Sequence, residues 1–228
     1  MDTSTFFNIL FSTENPVLPS ATVMRLALHG AWAIVLGSGV MRLADRLARP
    51  YRTGLGFLVM LWTLLPDRVS PAYWLGLAFQ APSLMSTVIC LAWVLNRVRP
   101  EQSPAFLMAR SQTWATKIVT LFGVVLGWVL LLDTMAWLPV SVYAWGFSSA
   151  AFGAVVVLAV LLWVMMRSVG SVLLLIVLTL FVLSRLPTGN VWDALLDPWL
   201  WVALQVGWLI NVARRLMVAG RWPPATRV

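Results

Sequence analysis

Apolar residues fall into seven long runs, Thr22–Met41, Thr53–Leu65, Trp74–Leu95, Ala115–Leu138, Phe147–Met166, Ser168–Ser184 and Trp199–Leu216. Short polar segments separate them. At about 1.5 Å per residue, about 20 residues cross a hydrocarbon layer of about 30 Å. The pattern predicts an all-α, polytopic membrane bundle of about seven transmembrane helices. The whole chain, 1–228, is read as one helical domain with no soluble domain, because the connections are too short to fold alone.

Charge sets the expected orientation. Arg42, Arg46, Arg49 and Arg52 follow run one, and Arg97, Arg99, Arg110 and Lys117 separate runs three and four. Arg167 lies between runs five and six; Arg214, Arg215, Arg221 and Arg227 close the chain. Thus 13 of the 16 basic residues fall on faces that a seven-pass alternation puts on one side, against only Asp45 and Glu101. Asp2, Glu14, Asp67, Asp133, Asp193 and Asp197 fall on the other. By the positive-inside rule the N-terminus is outside and the C-terminus cytoplasmic, most simply in a bacterial inner (plasma) membrane.

Run two is short, with about 13 strongly apolar residues against the usual ~20. It is predicted to span by borrowing Pro50–Arg52. A re-entrant hairpin would put every later basic cluster on the wrong side. Run three is predicted to kink at Pro82, and Gln80, Ser83, Thr87 and Cys90 recur at helical spacing as a polar stripe along it. Such a stripe can line a substrate path or hydrogen-bond to neighbouring helices. Thr5–Phe11 reads as an interfacial segment rather than a cleaved signal, since it lacks a basic flank. Ala105–Trp114 reads as a short interfacial helix.

Polar groups inside a run need a partner or water, so they are the candidate site. Arg25 and His29 are four residues apart on one face of run one, and Asp133 lies at comparable depth in run four. The expectation is an Arg25–Asp133 pair with His29 beside it. The plainer alternative is that Arg25 snorkels to the interface while Asp133 ends its helix. Gln205 and Asn211 in run seven are expected to be inter-helix glue. Gly123 with Gly127, and Ser149 with Gly153, are small-residue pairs that predict close packing of runs one, four and five. Of the 14 tryptophans, Trp62, Trp74, Trp137, Trp145, Trp192, Trp199 and Trp201 gather toward the outer ends, as an aromatic belt would. The loop Arg185–Pro198 is the alternative, a surface that docks another molecule.

Composition narrows the chemistry. The chain is 61% hydrophobic and 11% charged with net charge +8. Its arginines sit beside run ends, where orientation and anionic headgroups account for them without nucleic acid. A single cysteine, Cys90, and a single histidine, His29, leave no intramolecular disulfide, no cysteine-rich metal site and no bis-histidine haem. No cofactor, metal or catalytic residue is expected, and no hydrolase or phosphate-loop motif occurs. The leading expectation is a non-catalytic membrane subunit that packs against partner subunits and anionic lipids. A small transporter or channel subunit using the run-three stripe comes second, and an enzyme acting on a lipid-linked substrate third.

Overall fold

The computed structural model describes Ser12 and residues 18–98, 114–166 and 169–219. Thr5–Phe11, most of Ala105–Trp114, Asp2, Glu14, Arg99, Glu101, Arg110, Arg167, Arg221 and Arg227 lie outside the described residues. Those described are helical and irregular, with no strand among them. The helices are α1 (Ala21–Leu43), α2 (Arg49–Thr63), α3 (Pro71–Phe79), α4 (Leu84–Val98) and α5 (Trp114–Thr134), then α6 (Val142–Trp145), α7 (Ser149–Met166), α8 (Val169–Ser184), α9 (Val191–Leu195) and α10 (Pro198–Ala219). Two segments, Ala21–Leu43 and Lys117–Thr134, are long and apolar enough to cross a membrane by length and composition.

Short polar residues start these helices. Ser20, Ser70, Ser141 and Asn190 accept backbone N–H groups of the first turns of α1, α3, α6 and α9. Ser83 Oγ accepts from Ser86 N–H at 3.0 Å at the start of α4, and Asp197 Oδ1 from Leu200 N–H at 2.7 Å at the start of α10. Pro71 and Pro198 occupy the first helical position, where a missing N–H costs nothing. α2 begins at Arg49 and so takes in Pro50–Arg52, as its short apolar run requires.

Run three is not one kinked helix. It breaks after α3, where Gln80 turns to φ 61° and ψ −154°, and resumes as α4. Pro82 has no N–H to continue the ladder and disfavours helical geometry in the residue before it, so the chain breaks where a kink was expected. The two pieces still run alongside α1 in its own direction: Gly76 lies against Leu28, Trp32 reaches Gln80, Arg42 lies over Trp93 and Arg97 meets Asp45.

Close helix approaches differ from those expected. α1 packs on α2, where a Cβ on Gly37 would come within 2.4 Å of Met60 and one on Gly56 equally near Met41. Gly123 and Gly127 receive α10: added Cβ atoms would lie 2.8 Å from Leu204 and 2.2 Å from Trp201. Ser149 is exposed and Gly153 faces open space, so that pair joins nothing among the described residues. Runs one, four and five are therefore packed on α2, α10 and α8 rather than on one another. The main core lies elsewhere, among α4, α7, α8 and α9, around Phe181, Val177, Ala159, Val191 and Trp192.

Candidate functional site

The chain is interrupted twice in apolar surroundings, and the two interruptions meet. One is Gln80–Ser83, level with the middle of α1; Trp32 Nε1–H donates to the Gln80 carbonyl at 2.8 Å. The other is Leu196–Asp197, between α9 and α10. Asp197 is buried, and its Oδ2 accepts the Ser83 N–H at 2.8 Å while Oδ1 caps α10. One carboxylate thus serves the first turns of α4 and α10, where aligned peptide dipoles favour negative charge. Phe79 and Trp199 stack edge-on beside it, centroids 5.1 Å apart.

This arrangement dissolves the predicted stripe. Gln80 lies beyond the break with an exposed side chain, and it contributes its carbonyl oxygen rather than its amide. Ser83 Oγ–H donates to Ser86 Oγ at 3.0 Å, and Thr87 Oγ1–H to the Ser83 carbonyl at 3.0 Å. Cys90 follows on α4, half-buried. The hydroxyls are thus taken up locally in starting a helix.

Above the interruptions, the segment 185–197 folds inward. Arg185 (φ 54°) and Gly189 (φ 78°) adopt left-handed backbone, flanking a cis Leu186–Pro187 bond. At Gly189 that conformation suits a residue without a Cβ. Asn190 is fully buried; its Nδ2–H donates to the Tyr143 carbonyl at 2.9 Å and its Oδ1 accepts the Trp192 N–H at 2.9 Å. Val191 N–H donates to the Gly146 carbonyl at 2.9 Å, and Trp192 Nε1–H to that of Val142 at 3.0 Å. Asp193 Oδ2 accepts the Tyr143 hydroxyl at 2.7 Å and the Thr188 hydroxyl. Burial, followed by the acceptor carboxylate of Asp193, pushes the Tyr143 phenol well above its ordinary range. The loop Arg185–Pro198, named as a docking surface in the alternative to an aromatic belt, packs inward as a plug. Val191, Trp192, Ala194, Leu195, Leu196 and Asp197 are all buried, and Trp192 leaves the expected belt.

Asp133 joins the same network. Its Oδ2 accepts the Tyr143 N–H at 2.7 Å and the Ser141 hydroxyl at 3.3 Å. These are neutral donors, and the structure makes no Arg25–Asp133 ion pair. Residues 135–148 fold back and supply donors to Asp133 before an arginine is needed. Arg25 is exposed; His29 donates Nδ1–H to the Arg25 carbonyl at 2.9 Å, and its Nε2 is buried without a partner among the described residues.

At the opposite end, α1, α2 and α4 bring arginines together. Asp45 Oδ1 accepts Arg52 at 2.7 Å and Arg97 at 3.1 Å. Arg42 and Arg97 both lie over the Trp93 ring, 5.0 and 5.5 Å from its centroid, and Arg49 donates to the Val98 carbonyl at 2.7 Å. The ends of runs one and three had been expected to share a side; that they share one cluster could not be read from spacing.

Sequence reasoning missed the roles of Asn190, Asp197 and Tyr143. For Asp197 a signal existed: Asp before Pro before an apolar run is a helix start, as is Ser70–Pro71. For Tyr143 and Asn190, 47 positions apart, there was none. No group of three metal-ligating side chains occurs among the described residues. Every carboxylate described above accepts N–H or O–H donors from the chain, so the arrangement orders backbone and joins distant segments. No family model, curated protein or solved structure matches the chain.

Proposed function

We propose that this chain is a seven-span protein of a bacterial inner membrane, N-out and C-in, acting as a non-catalytic subunit that packs against partner chains. Two sets of contacts support the topology. The segments after runs one and three share the arginine cluster, and those after runs four and six share the Tyr143–Asp193 network. The last crossing is completed by the plug together with α10, since Trp201 and Leu204 seat α10 on the middle of α5.

The observation that carries the subunit reading is α10. Gln205 follows Leu204, which lies at Gly123 within the α5 span, yet Gln205 and Asn211 make no hydrogen bond to any described residue. An amide in hydrocarbon is costly without a partner. Elsewhere buried polar groups are nearly all satisfied internally, so the half-buried Gln205 and the exposed Asn211, about 120° apart around α10, are left for partners outside this chain. The test is native mass measurement in nanodiscs of the wild type and Gln205→Leu/Asn211→Leu. The expected result is a heteromeric or multimeric species that the variant loses. A monodisperse single chain with full cellular activity would overturn the reading.

A transporter reading rests on one specific observation, the meeting of two interrupted crossings at Asp197. Interrupted helices at mid-depth are how many transporters build a substrate site. Substrate uptake by proteoliposomes holding this chain alone, abolished in Asp197→Asn, would favour it over the subunit reading.

A further inference from the structure

We infer that the α1–α2–α4 end is a binding site for a phosphate-bearing anion, held between Arg42 and Arg97 against Trp93. The lipid source of that phosphate rests on the proposed orientation, which puts this end in the cytoplasmic headgroup layer; the phosphate chemistry does not. Arg42, Arg46, Arg49, Arg52 and Arg97 converge there, and Asp45 is the acid among the described residues of that end. Four positive charges are left over, in a place the fold creates by laying α4 beside α1.

The geometry separates structural arginines from available ones. Arg52 is spent: its side chain is 11% exposed and bound to Asp45. Arg49 is tied to a carbonyl. Arg97 gives one N–H to Asp45 and keeps the rest of its donor fork, with 43% of its side chain exposed. Arg42 donates no hydrogen bond to any described residue, and its guanidinium is fixed over the indole instead. Stacking and anchorage to Asp45 fix two guanidinium forks at one indole, 5.0 and 5.5 Å from its centroid, despite their repulsion. A planar five-donor fork matches phosphate oxygens two at a time, so a phosphate between them satisfies donors that the chain leaves open. A carboxylate ligand would satisfy fewer of them.

The experiment is thermal unfolding of the full chain in a zwitterionic detergent, titrated separately with short-chain phosphatidylglycerol, short-chain phosphatidylcholine and inorganic phosphate. The expected result is a saturable rise in Tm with phosphatidylglycerol, little with phosphatidylcholine, and a half-saturation about tenfold or more weaker in Arg42→Gln/Arg97→Gln. Arg42→Lys/Arg97→Lys keeps the charge and the folding determinants but loses the fork, and is expected to weaken binding by a smaller factor. A rise with inorganic phosphate alone supports the anion site and assigns a free-phosphate source. Equal loss in Arg214→Gln, or no loss in either double variant, would overturn the site and leave only diffuse charge. Because the micelle has no sides, these outcomes do not depend on topology, which is read independently by cysteine labelling in a Cys90→Ser background.

Discussion

The two ends of the molecule treat their carboxylates in opposite ways. Toward the arginine-poor end Asp133 and Asp193, and deeper at the helix interruptions Asp197, are half-buried or buried and accept only neutral N–H and O–H donors, while Asp67 stays exposed. At the basic end Asp45 is 55% exposed and faces arginines. Burial explains the difference. A charged pair taken out of water must recover two desolvation costs, whereas a lone carboxylate can be held by converging backbone dipoles and hydroxyls. Acids are therefore used to tie segment to segment where packing is tight, and arginines accumulate where solvent remains within reach. One end is closed by its own donors. The other has donors left over.

The comparison is broken most directly at Asn190. Asn190→Ala leaves the Trp192 N–H unpaired, takes one of two donors from the Tyr143 carbonyl (Gly146 N–H remains) and empties a fully buried position, so about 3 kcal/mol of stability should be lost in a reversible unfolding assay. Asp197→Asn is expected to cost about 2 kcal/mol, because one amide hydrogen must face a backbone N–H that the carboxylate oxygen accepted. A loss as small as that of a surface change would mean the two helix interruptions are held together by apolar packing alone.

Tyr143→Phe sharpens the comparison through pH. Near neutrality it should cost about 1 kcal/mol, since Thr188 still serves Asp193. The phenol's pKa is raised in the folded chain, so its contribution is complete below the ordinary tyrosine pKa of about 10 and is lost as pH rises toward the raised value. The gap between wild type and Tyr143→Phe should therefore close on going above about pH 10. A gap that widens there would contradict the buried hydrogen bond.

Smaller effects belong to the basic end. Asp45→Asn should change stability by less than about 1 kcal/mol, with a salt dependence that Asp197→Asn lacks. Smallest of all is the coupling between Arg25 and Asp133. With Asp133 engaged by Tyr143 and Ser141, a double-mutant cycle using Asp133→Asn and Arg25→Gln should be additive within about 0.5 kcal/mol.

How much of this was legible follows from how far each interaction reaches. Helical identity was legible because hydrophobicity along one run is local information. Only the interruption of run three was misread, as a kink at Pro82; what fixes it as a break is the positive φ at Gln80 and the distant carboxylate of Asp197. Gly123 and Gly127 were recognised as a contact surface, but their partner was not, since Leu204 and Trp201 carry no mark that points back to them. The Arg25–Asp133 pairing failed for a related reason. Depth alone was used to match charges, while a hydroxyl and an amide in the next turn of chain were nearer. The Trp93 site was invisible because its arginines were all explained already by orientation.

The cap that Asp197 places on α4 also has a consequence in time. Ser83 is made 114 residues before the side chain that satisfies it. At roughly 5–20 residues per second, about 6 to 23 s of synthesis separate the two. During that interval α4 is already in place while the first turn at its start still lacks its acceptor. The N-terminal half must therefore wait in a provisional state, held by α1 and α2, until the last helix arrives to close it. Folding of this protein is completed at its final helix, and a ribosome that stops before residue 197 releases a chain whose earliest helices are formed but not yet locked.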